Sequence, residues 1–270
     1  MLKIDLSGRK ALVTGGARGI GGGVVRALAE CGAAVAFTHL GSARGKADAA
    51  RLVAGLKAAG ATIACYTAAA DDMNAMEAVV EHVAHEFQGL DIVVANVGLT
   101  WPALLPELDL EGWRHALDIN LTTAFIAIKS TLPWLLLSGK ASRADVVLIG
   151  SSAALDGGGG GVHYAAAKAG LDGLMRACMR ELPRQGVHIN VIHPCVVDTD
   201  LLRERYDDEE KRLHLAQQVP LGRLGQPEDI GGLVAFLCSD LGSFICGQSI
   251  LVDGGRTFWR QAAREPGSQA

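Results

Sequence analysis

The regular alternation of short apolar runs with longer segments constrains the fold of this chain more than any other feature. Seven runs rich in Val, Ile and Ala recur, and the segments between them are long enough for helices. Because the runs are almost continuously apolar, both faces of the sheet that they form should be buried. We therefore predict an α/β protein of one domain, a doubly wound parallel sheet with helices on both faces. The predicted strands are 11–14, 34–38, 62–67, 91–95, 145–149, 188–193 and 249–252.

Composition and charge exclude several classes of protein. The 270 residues carry a net charge of −4 without a basic stripe, so we expect no nucleic-acid partner. Apolar stretches such as 132–137 are much shorter than the roughly 18 residues of a membrane span, so we expect no membrane partner. The start is polar and lacks a signal peptide, which predicts a cytoplasmic protein. The six scattered cysteines predict buried thiols and no metal site.

A glycine-rich turn follows the first predicted strand. The residues TGGARGIG occupy positions 14–21, directly before a segment with helical spacing. Gly15 can form a tight turn, Gly19 lets the backbone approach a pyrophosphate, and Gly21 permits close packing of the helix. The N–H groups at the start of that helix would face the anion. This order of elements predicts a dinucleotide-binding site, with a plain structural turn as the alternative.

A second motif places a phenol beside an ammonium group. The strand 145–149 leads to Ser151, and thirteen positions later Tyr164 opens the segment YAAAK, which ends at Lys168. On a helix, Tyr164 and Lys168 lie one turn apart on the same face, so the ammonium should favour the ionised phenol and lower its pKa. Such a tyrosine can act as a general acid or base near neutral pH.

Together and in this order, the glycine turn, the segment 96–98, Asn120, Ser151 and the segment 164–168 resemble the short-chain dehydrogenase/reductase family. The resemblance extends over residues 6 to 255 or so and implies a Rossmann fold. It also implies an NAD(P)(H)-dependent oxidoreductase, which transfers hydride between the nicotinamide and a carbonyl or secondary alcohol substrate. We assign the domain to residues 1–255 and a polar C-terminal tail to residues 256–270.

The resemblance implies a role for each catalytic residue. Tyr164 is the general acid/base, Lys168 also holds the nicotinamide ribose, and Ser151 hydrogen-bonds the substrate oxygen, with Ser152 as the second candidate. The backbone of Asn120 supports a water molecule in proton transfer. The predicted cofactor-binding residues are Gly15, Arg18, Gly19, Ile20, Gly21, His39, Asn96, Gly98, Tyr164, Lys168, Val197 and Thr199.

Some positions depart from the family pattern. Ala95 replaces an asparagine that helps to brace the sheet, and Cys195 replaces a glycine, which would strain the backbone if that position needs a positive φ. After the third strand, Asp71 could meet the adenine ring, or Asp71 and Asp72 could cap the next helix. The glycine run 157–161 is expected to be a flexible loop, or else to leave room for a bulky substrate.

The end of the second strand bears on the choice of cofactor. It carries His39 where a carboxylate would accept a hydrogen bond from the ribose 2′-hydroxyl, and Arg18, Ser42 or Arg44 could pair with a 2′-phosphate. NADP(H) is therefore the preferred cofactor, and NAD(H) stays possible. The alternatives are that His39 is a surface histidine and that Arg44 lies in a solvated loop.

The substrate is not fixed by these motifs. The sequence looks most like the 3-oxoacyl-acyl-carrier-protein reductase group, although Gln185 stands where that group often has a basic residue, with Arg184 beside it. An NADPH-dependent ketone or 3-oxoacyl reductase is the first hypothesis. An NAD-dependent sugar or polyol dehydrogenase and a non-catalytic dinucleotide-sensing scaffold are the alternatives. We expect a substrate lid over 198–218, in which the acidic run 207–210 starts a helix, and a homotetramer.

Overall fold

All seven predicted strands form one parallel sheet in the computed structural model of the chain, which describes residues 3–258. The strand bounds differ from the predicted ones by at most one residue at each end. The strands are β1 (Lys10–Val13), β2 (Ala34–His39), β3 (Ile63–Thr67), β4 (Ile92–Ala95), β5 (Ala144–Ile149), β6 (Val187–Pro194) and β7 (Ser249–Val252).

The order of the strands creates the crevice in which a ligand can bind. They lie in the order β3-β2-β1-β4-β5-β6-β7, so the chain runs outward from β1 in one direction and then from β4 in the other. Leu12 of β1 pairs with Val93 of β4 at this switch point. Loops at the carboxyl ends of β1 and β4 therefore diverge and leave a cleft between them. This is the doubly wound Rossmann fold that the sequence predicts.

Ten helices connect the strands within the described residues. They are α1 (Gly19–Glu30), α2 (Ala43–Ala58), α3 (Met73–Phe87), α4 (Leu110–Leu117), α5 (Thr123–Ala141), α6 (Ala153–Asp156), α7 (Val162–Cys178), α8 (Asp200–Arg205), α9 (Glu209–Gln217) and α10 (Pro227–Cys238). A π turn at Asp118–Thr122 joins α4 to α5. Single 3-10 turns lie at Leu105–Glu107, Pro183–Gln185 and Asp240–Gly242.

Helices cover both faces of the sheet, because the strands carry apolar side chains on both faces. On one face, α1, α2 and α10 bury a cluster that includes Phe37. On the other face, α5 and α7 pack over β4, β5 and β6 around Leu148. Helix α3 extends this second layer over Leu12, using the helically spaced residues Met76, Val80 and Val83.

The segment Leu110–Ala141, which contains α4, the π turn and α5, corrects one sequence expectation. It is long and apolar enough by length and composition to cross a membrane, because a stretch of 18 residues within it has a mean hydropathy of 1.4. The estimate from residues 132–137 alone missed this length, because polar residues such as Lys129 and Ser130 interrupt the apolar run. Ile126 and Leu135 are buried in the two layers just described, as expected of a core helix.

Two further expectations need adjustment. The six cysteines are free thiols, but only Cys238 is fully buried. The polar tail was predicted to begin at residue 256, yet Arg256 and Thr257 are buried, and Arg256 donates hydrogen bonds to Cys195 Sγ and Gln218 Oε1. The packed domain therefore continues past residue 255, and positions 259–270 of the predicted tail lie outside the described residues.

Candidate active site

A cleft of about 500 Å³ opens at the carboxyl ends of β1, β2, β4 and β5. It holds both of the motifs that the sequence singled out, because residues of the glycine turn and of the YAAAK segment line it. The predicted residues that line it are Gly15, Arg18, Gly19, Ile20, Gly21, His39, Asn96, Gly98, Tyr164, Lys168 and Thr199.

The glycine turn brings bare backbone to the cleft. Gly15 and Gly19 have φ values of 65° and 56°, in the left-handed region that favours glycine. A Cβ atom at Gly21 would lie 2.3 Å from the carbonyl oxygen of Gly15, so a side chain there would force the turn apart. Helix α1 begins at Gly19, and its first N–H groups are therefore exposed to an anion in the cleft. The geometry fits the pyrophosphate of a dinucleotide.

Asn96 supports this turn from the neighbouring strand. Its side-chain amide donates to the carbonyl oxygens of Thr14 at 3.0 Å and Gly15 at 3.1 Å, and its backbone N–H donates to Thr14 Oγ1 at 3.0 Å. The loop after β4 and the turn after β1 are therefore held together at the switch point. A brace across the sheet thus exists although Ala95 lacks the family's amide.

The π turn directs Asn120 toward the same loop. Its side-chain amide donates to the carbonyl oxygens of Leu99 at 2.8 Å and Ala116 at 3.0 Å, and its Oδ1 accepts from Leu99 N–H at 3.0 Å. A Cβ atom at Gly98 would lie 2.9 Å from both Asn120 Oδ1 and Lys168 Nζ. The structure therefore brings Gly98, Asn120 and Lys168 together. The predicted water-binding role of the Asn120 backbone stays a prediction.

Tyr164 and Lys168 line the other end of the cleft together with Gly150, and Ser151 follows Gly150 in the chain. Helix α7 presents Tyr164 and Lys168 on one face, and the Ser151 hydroxyl after β5 lies near enough to the Tyr164 phenol to oppose the rise in its pKa that burial causes. Lys168 Nζ donates to the carbonyl oxygen of Ile149 at 2.9 Å. Ser152, the second candidate for the serine role, is buried beneath this surface. The geometry therefore favours Ser151.

The pKa values in this cluster differ from the sequence expectation. Burial raises the pKa of the Tyr164 phenol, although the Ser151 hydrogen bond opposes the shift. Burial also lowers the pKa of Lys168 to about 8. The expected lowering of the tyrosine pKa by Lys168 is absent, because Lys168 Nζ lies 5.8 Å from the centre of the phenol ring and bonds to Ile149 instead. Loss of water around the phenol outweighs the charge at that distance.

We call the part of the cleft beside His39 and Glu204 the adenosine end, because the sequence predicts the adenosine of the cofactor there. The side chains at this end are arranged differently from the sequence expectation. His39 is buried rather than a surface residue, and its Nδ1 lies 2.9 Å from the Leu40 carbonyl oxygen. Ser42 caps α2 by accepting from Gly45 N–H. Arg44 lies in α2 rather than in a loop and forms ion pairs with three carboxylates. Those carboxylates belong to Asp48, Asp200 and Glu204.

Arg18, by contrast, is a cation of this end of the cleft that no carboxylate of the described residues, 3–258, pairs with. The residue is exposed and lines the cleft. Asp200 and Glu204 line the same cleft, so carboxylates and cations meet there. After β3, Asp72 caps α3 by accepting from Ala75 N–H, whereas Asp71 lines the cleft. The two aspartates therefore divide the roles that the sequence left open.

The segment after β6 is arranged differently from the prediction. Val197 does not line the cleft, because a β-bridge to Gly225 turns it into a separate cavity of about 240 Å³. Thr199 does line the cleft, and its hydroxyl also caps α8. Gln88 is the one non-glycine residue within positions 3–258 with a positive φ, so Cys195 is not strained. The cofactor contact predicted for Val197 is therefore not supported by its position.

The glycine run 157–161 closes against another loop rather than leaving open space. The Ala103 N–H donates to the Gly160 carbonyl oxygen at 2.8 Å, and the Thr100 hydroxyl donates to that of Gly159. A Cβ atom at Gly160 would lie 2.4 Å from Thr100 Oγ1. The glycines therefore allow close approach of two backbones at the substrate end. Neither a free loop nor a large vacant space describes this region.

The predicted lid consists of two helices. Helices α8 and α9 occupy most of 198–218, and Asp208 caps α9 as the acidic run predicted. The ion pairs of Arg44 tie α8 to α2 across the adenosine end. Within residues 3–258, no cluster of three potential metal-ligating side chains occurs.

Two buried residues of this region were not singled out by the sequence. His193 on β6 contacts the backbone of Ser151, and Asp172 on α7 contacts the ring of His193. A spacing of four residues from Lys168 to Asp172 is visible in the sequence, but nothing in it shows that a strand places a histidine beside that face.

The fold and the cleft together define an oxidoreductase that uses a nicotinamide dinucleotide. A family model described as enoyl-(acyl carrier protein) reductase matches residues 15–257. The chain belongs to the short-chain dehydrogenase/reductase family, whose enzymes act on CH–OH and C=O groups with NAD(P). It is an NAD(P)(H)-dependent oxidoreductase that transfers hydride between the nicotinamide and a carbonyl or alcohol substrate.

Individual relatives differ in the substrates that they are named for. The L-rhamnose 1-dehydrogenase (NAD(P)(+)) of Azotobacter vinelandii is 34% identical over 94% of this chain and 98% of its own length. The 3-oxoacyl-acyl-carrier-protein reductase FabG of Escherichia coli is 35% identical over 93% of this chain and 98% of its own length. A blue fluorescent protein from a metagenomic library, solved with NADPH, has a TM-score of 0.83, is 35% identical, and matches 93% of this chain and 99% of its own.

Proposed function

We propose that the chain is an NADPH-dependent reductase of ketones or 3-oxoacyl compounds. The observation that carries this proposal is that the Ser151 hydroxyl and the Tyr164 phenol meet beside the cleft that the glycine turn lines. An end that binds anions and an end that donates protons therefore share one cavity. The similarity to 3-oxoacyl reductases supports the substrate class.

The residues of the cleft fit a nicotinamide dinucleotide, because Gly15 and Gly19 line it with backbone that carries no side chain. When bound, the cofactor supplies the hydride. Lys168 would hold the nicotinamide ribose through its ammonium group. Ser151 would orient the substrate oxygen by a hydrogen bond, and Tyr164 would donate a proton to that oxygen. A raised pKa keeps the phenol protonated at neutral pH, as a proton donor in carbonyl reduction requires.

The preference for NADPH depends on Arg18. This exposed residue lines the cleft, and a phosphate group at the adenosine end would have its cation as a partner. His39 adds no negative charge at the end of β2. We therefore expect Arg18→Ala and His39→Asp to shift kcat/KM from NADPH toward NADH. A wild-type enzyme that already favours NADH by about tenfold would contradict this preference.

A second candidate is an NAD(P)-dependent sugar or alcohol dehydrogenase. Asp200 and Glu204 line the adenosine end, where a carboxylate can accept a hydrogen bond from the ribose 2′-hydroxyl of NAD. The relative named as a rhamnose dehydrogenase is as similar to the chain as the 3-oxoacyl reductases.

Turnover of a defined panel separates these candidates. Purified protein is assayed with ethyl acetoacetate, simple ketones and aldoses, each with both nicotinamide cofactors in the appropriate redox state. We expect NADPH oxidation that depends on the 3-oxoester, and its loss in Ser151→Ala. Oxidation of aldoses without reduction of any ketone would favour the second candidate. No turnover with any member of the panel would contradict both.

The assembly and the cellular location are part of the same proposal. Helix α7 exposes the small residues Ala166 and Ala169, and the adjacent helix α5 exposes Phe125, so the two helices offer a surface for close packing. We expect a cytoplasmic homotetramer with contacts there. Light scattering of the purified protein should give the mass of four chains, and a monomer at micromolar concentration would contradict it.

A further inference from the structure

A buried pair behind the catalytic serine extends the proposed site. His193 on β6 is fully buried, and its Nδ1 lies 3.1 Å from the backbone nitrogen of Ser151 and 2.9 Å from its carbonyl oxygen. The ring stands directly beside the strand end that carries Ser151. Gly150 makes room for it, because a Cβ atom at Gly150 would lie 2.3 Å from His193 Nδ1.

The other side of the ring is held by the helix that carries the tyrosine. His193 Nε2 lies 3.2 Å from the carboxylate of Asp172, which is buried and accepts a further hydrogen bond from the Ser249 hydroxyl. Tyr164, Lys168 and Asp172 are spaced four residues apart along α7, so they share one face of that helix. The Asp172–His193 pair therefore connects the tyrosine helix to the serine strand through buried contacts.

The Asp172 carboxylate accepts a hydrogen bond from His193 Nε2, so the state of Nδ1 decides which backbone group of Ser151 the ring bonds. With its hydrogen on Nε2, the ring donates to Asp172 and accepts the Ser151 N–H at Nδ1. With both nitrogens protonated, the ring donates from Nδ1 to the Ser151 carbonyl oxygen instead. The ring is a partner of the Ser151 backbone in both states. The adjacent Ser152 N–H donates to the Pro194 carbonyl oxygen at 2.8 Å, so this loop is fastened to β6 at two successive residues.

We propose that Asp172 and His193 are positioning residues, which hold the backbone of Ser151 so that its hydroxyl meets the Tyr164 phenol. The proposal depends on the role of Ser151 in the proposed function. A buried hydrogen-bonded pair costs free energy when one partner is removed, so a purely structural role would also lower stability. The distinguishing property is that the effect on turnover must pass through the Ser151 hydroxyl.

Two substitutions of the histidine separate its two contacts. In His193→Asn, the amide oxygen takes the place of Nδ1 and can still accept from Ser151 N–H. In His193→Gln, the amide reaches toward Asp172 and leaves Ser151 without that partner. We expect kcat for ethyl acetoacetate with NADPH to fall about tenfold in His193→Gln and to stay within about threefold in His193→Asn. The affinity for NADPH, measured by fluorescence titration, should remain within about twofold in both.

Asn190→Ala is the matched control for loss of a buried polar contact. Asn190 lies on the same strand, and its amide bonds to the Ile245 carbonyl oxygen and the Gln248 N–H, away from Ser151. We expect this variant to lose thermal stability to a similar degree as His193→Gln and to keep wild-type kcat. If kcat follows stability across the three variants, the positioning role is contradicted.

A double-mutant cycle with Ser151→Ala gives the decisive result. If His193 acts through Ser151, His193→Gln should lower kcat by less than about twofold once the hydroxyl is absent. An equal loss with and without the hydroxyl would overturn the proposal, as would wild-type kcat in His193→Gln. If His193→Gln does not bind NADPH, Asp172→Asn, which keeps the shape of the side chain, takes its place in the same cycle.

The cycle also separates this proposal from the proposed function. Wild-type turnover in Ser151→Ala alone would overturn the role of Ser151 itself. Loss of turnover in Ser151→Ala together with additive effects of His193→Gln would leave the proposed function intact and overturn only the positioning role.

Discussion

The two ends of the cleft are built in different ways. At the nucleotide end, glycines keep side chains away, and the backbone of the turn at 14–21 forms the surface. At the catalytic end, Asn120, Ser151 and Lys168 bring buried or half-buried side chains together through hydrogen bonds. We therefore expect an added side-chain atom to weaken cofactor binding at the nucleotide end, and a removed side-chain atom to lower turnover at the catalytic end.

Removal of one oxygen atom should have the largest effect. We expect Tyr164→Phe to lower kcat by at least about 1,000-fold, because the phenol is the proposed proton donor. The affinity for NADPH should change by less than about threefold, since the phenol contributes little to holding the pyrophosphate. Stopped-flow turnover and fluorescence titration measure the two quantities. Turnover above a tenth of the wild-type value would end the assignment of Tyr164.

Addition of one methyl group at the other end should come next. In Gly21→Ala the new Cβ atom would lie 2.3 Å from the Gly15 carbonyl oxygen, so we expect a loss of about 2–3 kcal/mol in the free energy of unfolding. The affinity for NADPH should fall by at least about tenfold, because the turn must open.

The next residue provides the matched control. A Cβ atom at Gly22 would have its nearest neighbours 3.7 Å away, so Gly22→Ala should bind NADPH normally. It should also be stabilised by about 0.5–1 kcal/mol, because alanine favours the helix more than glycine does. Equal damage in Gly21→Ala and Gly22→Ala would show that the turn does not depend on close approach.

Substitution of Lys168 tests whether a residue needed for turnover also lowers the free energy of unfolding. Burial lowers its pKa to about 8 from 10.5, so the unfolded chain binds more protons between these pH values and stability should rise with pH across that window. We expect Lys168→Met to lose turnover but to gain about 2 kcal/mol at pH 7, from about 3 for the buried charge less about 1 for the Ile149 hydrogen bond. Denaturant unfolding at pH 7 and pH 10.5 measures the gain, which should disappear at the higher pH. A gain that is the same at both would contradict the buried charge.

The smallest effect, a change in cofactor preference, is expected where the adenosine end meets the predicted lid. Glu204 pairs with Arg44 and lines the adenosine end, so Glu204→Gln should remove one of the three carboxylates that pair with that arginine, and with it a negative charge at the cleft. We expect the ratio of kcat/KM for NADPH to that for NADH to rise about threefold to fivefold. Glu209→Gln, an exposed position of the lid outside the cleft, is the control. An unchanged ratio in Glu204→Gln would show that this pair does not affect the cofactor.

The sequence predicts the fold more fully than the site. Strand periodicity and the glycine turn follow from local properties of the chain, and so does the spacing of Tyr164 and Lys168 on one helix. The partners of Arg44 and His193 depend on which elements become neighbours, because each pair joins residues distant in sequence. The raised pKa of Tyr164 likewise depends on burial, which spacing along a helix does not reveal.

Because of the π turn at Asp118–Thr122, the long helix Leu110–Ala141 buries one face before the turn and a different face after it. Before it, α4 packs against α7, and after it, α5 packs against β4 and β5. The wider turn rotates α5 relative to α4 about the helix axis, and it does so at Asn120, which hydrogen-bonds to the Leu99 backbone. Deletion of one residue there would restore a common phase and turn one half away from its partner. The number of residues in this helix is therefore constrained. A shorter version would have to lose whole helical turns for α4 and α5 both to keep facing their partners.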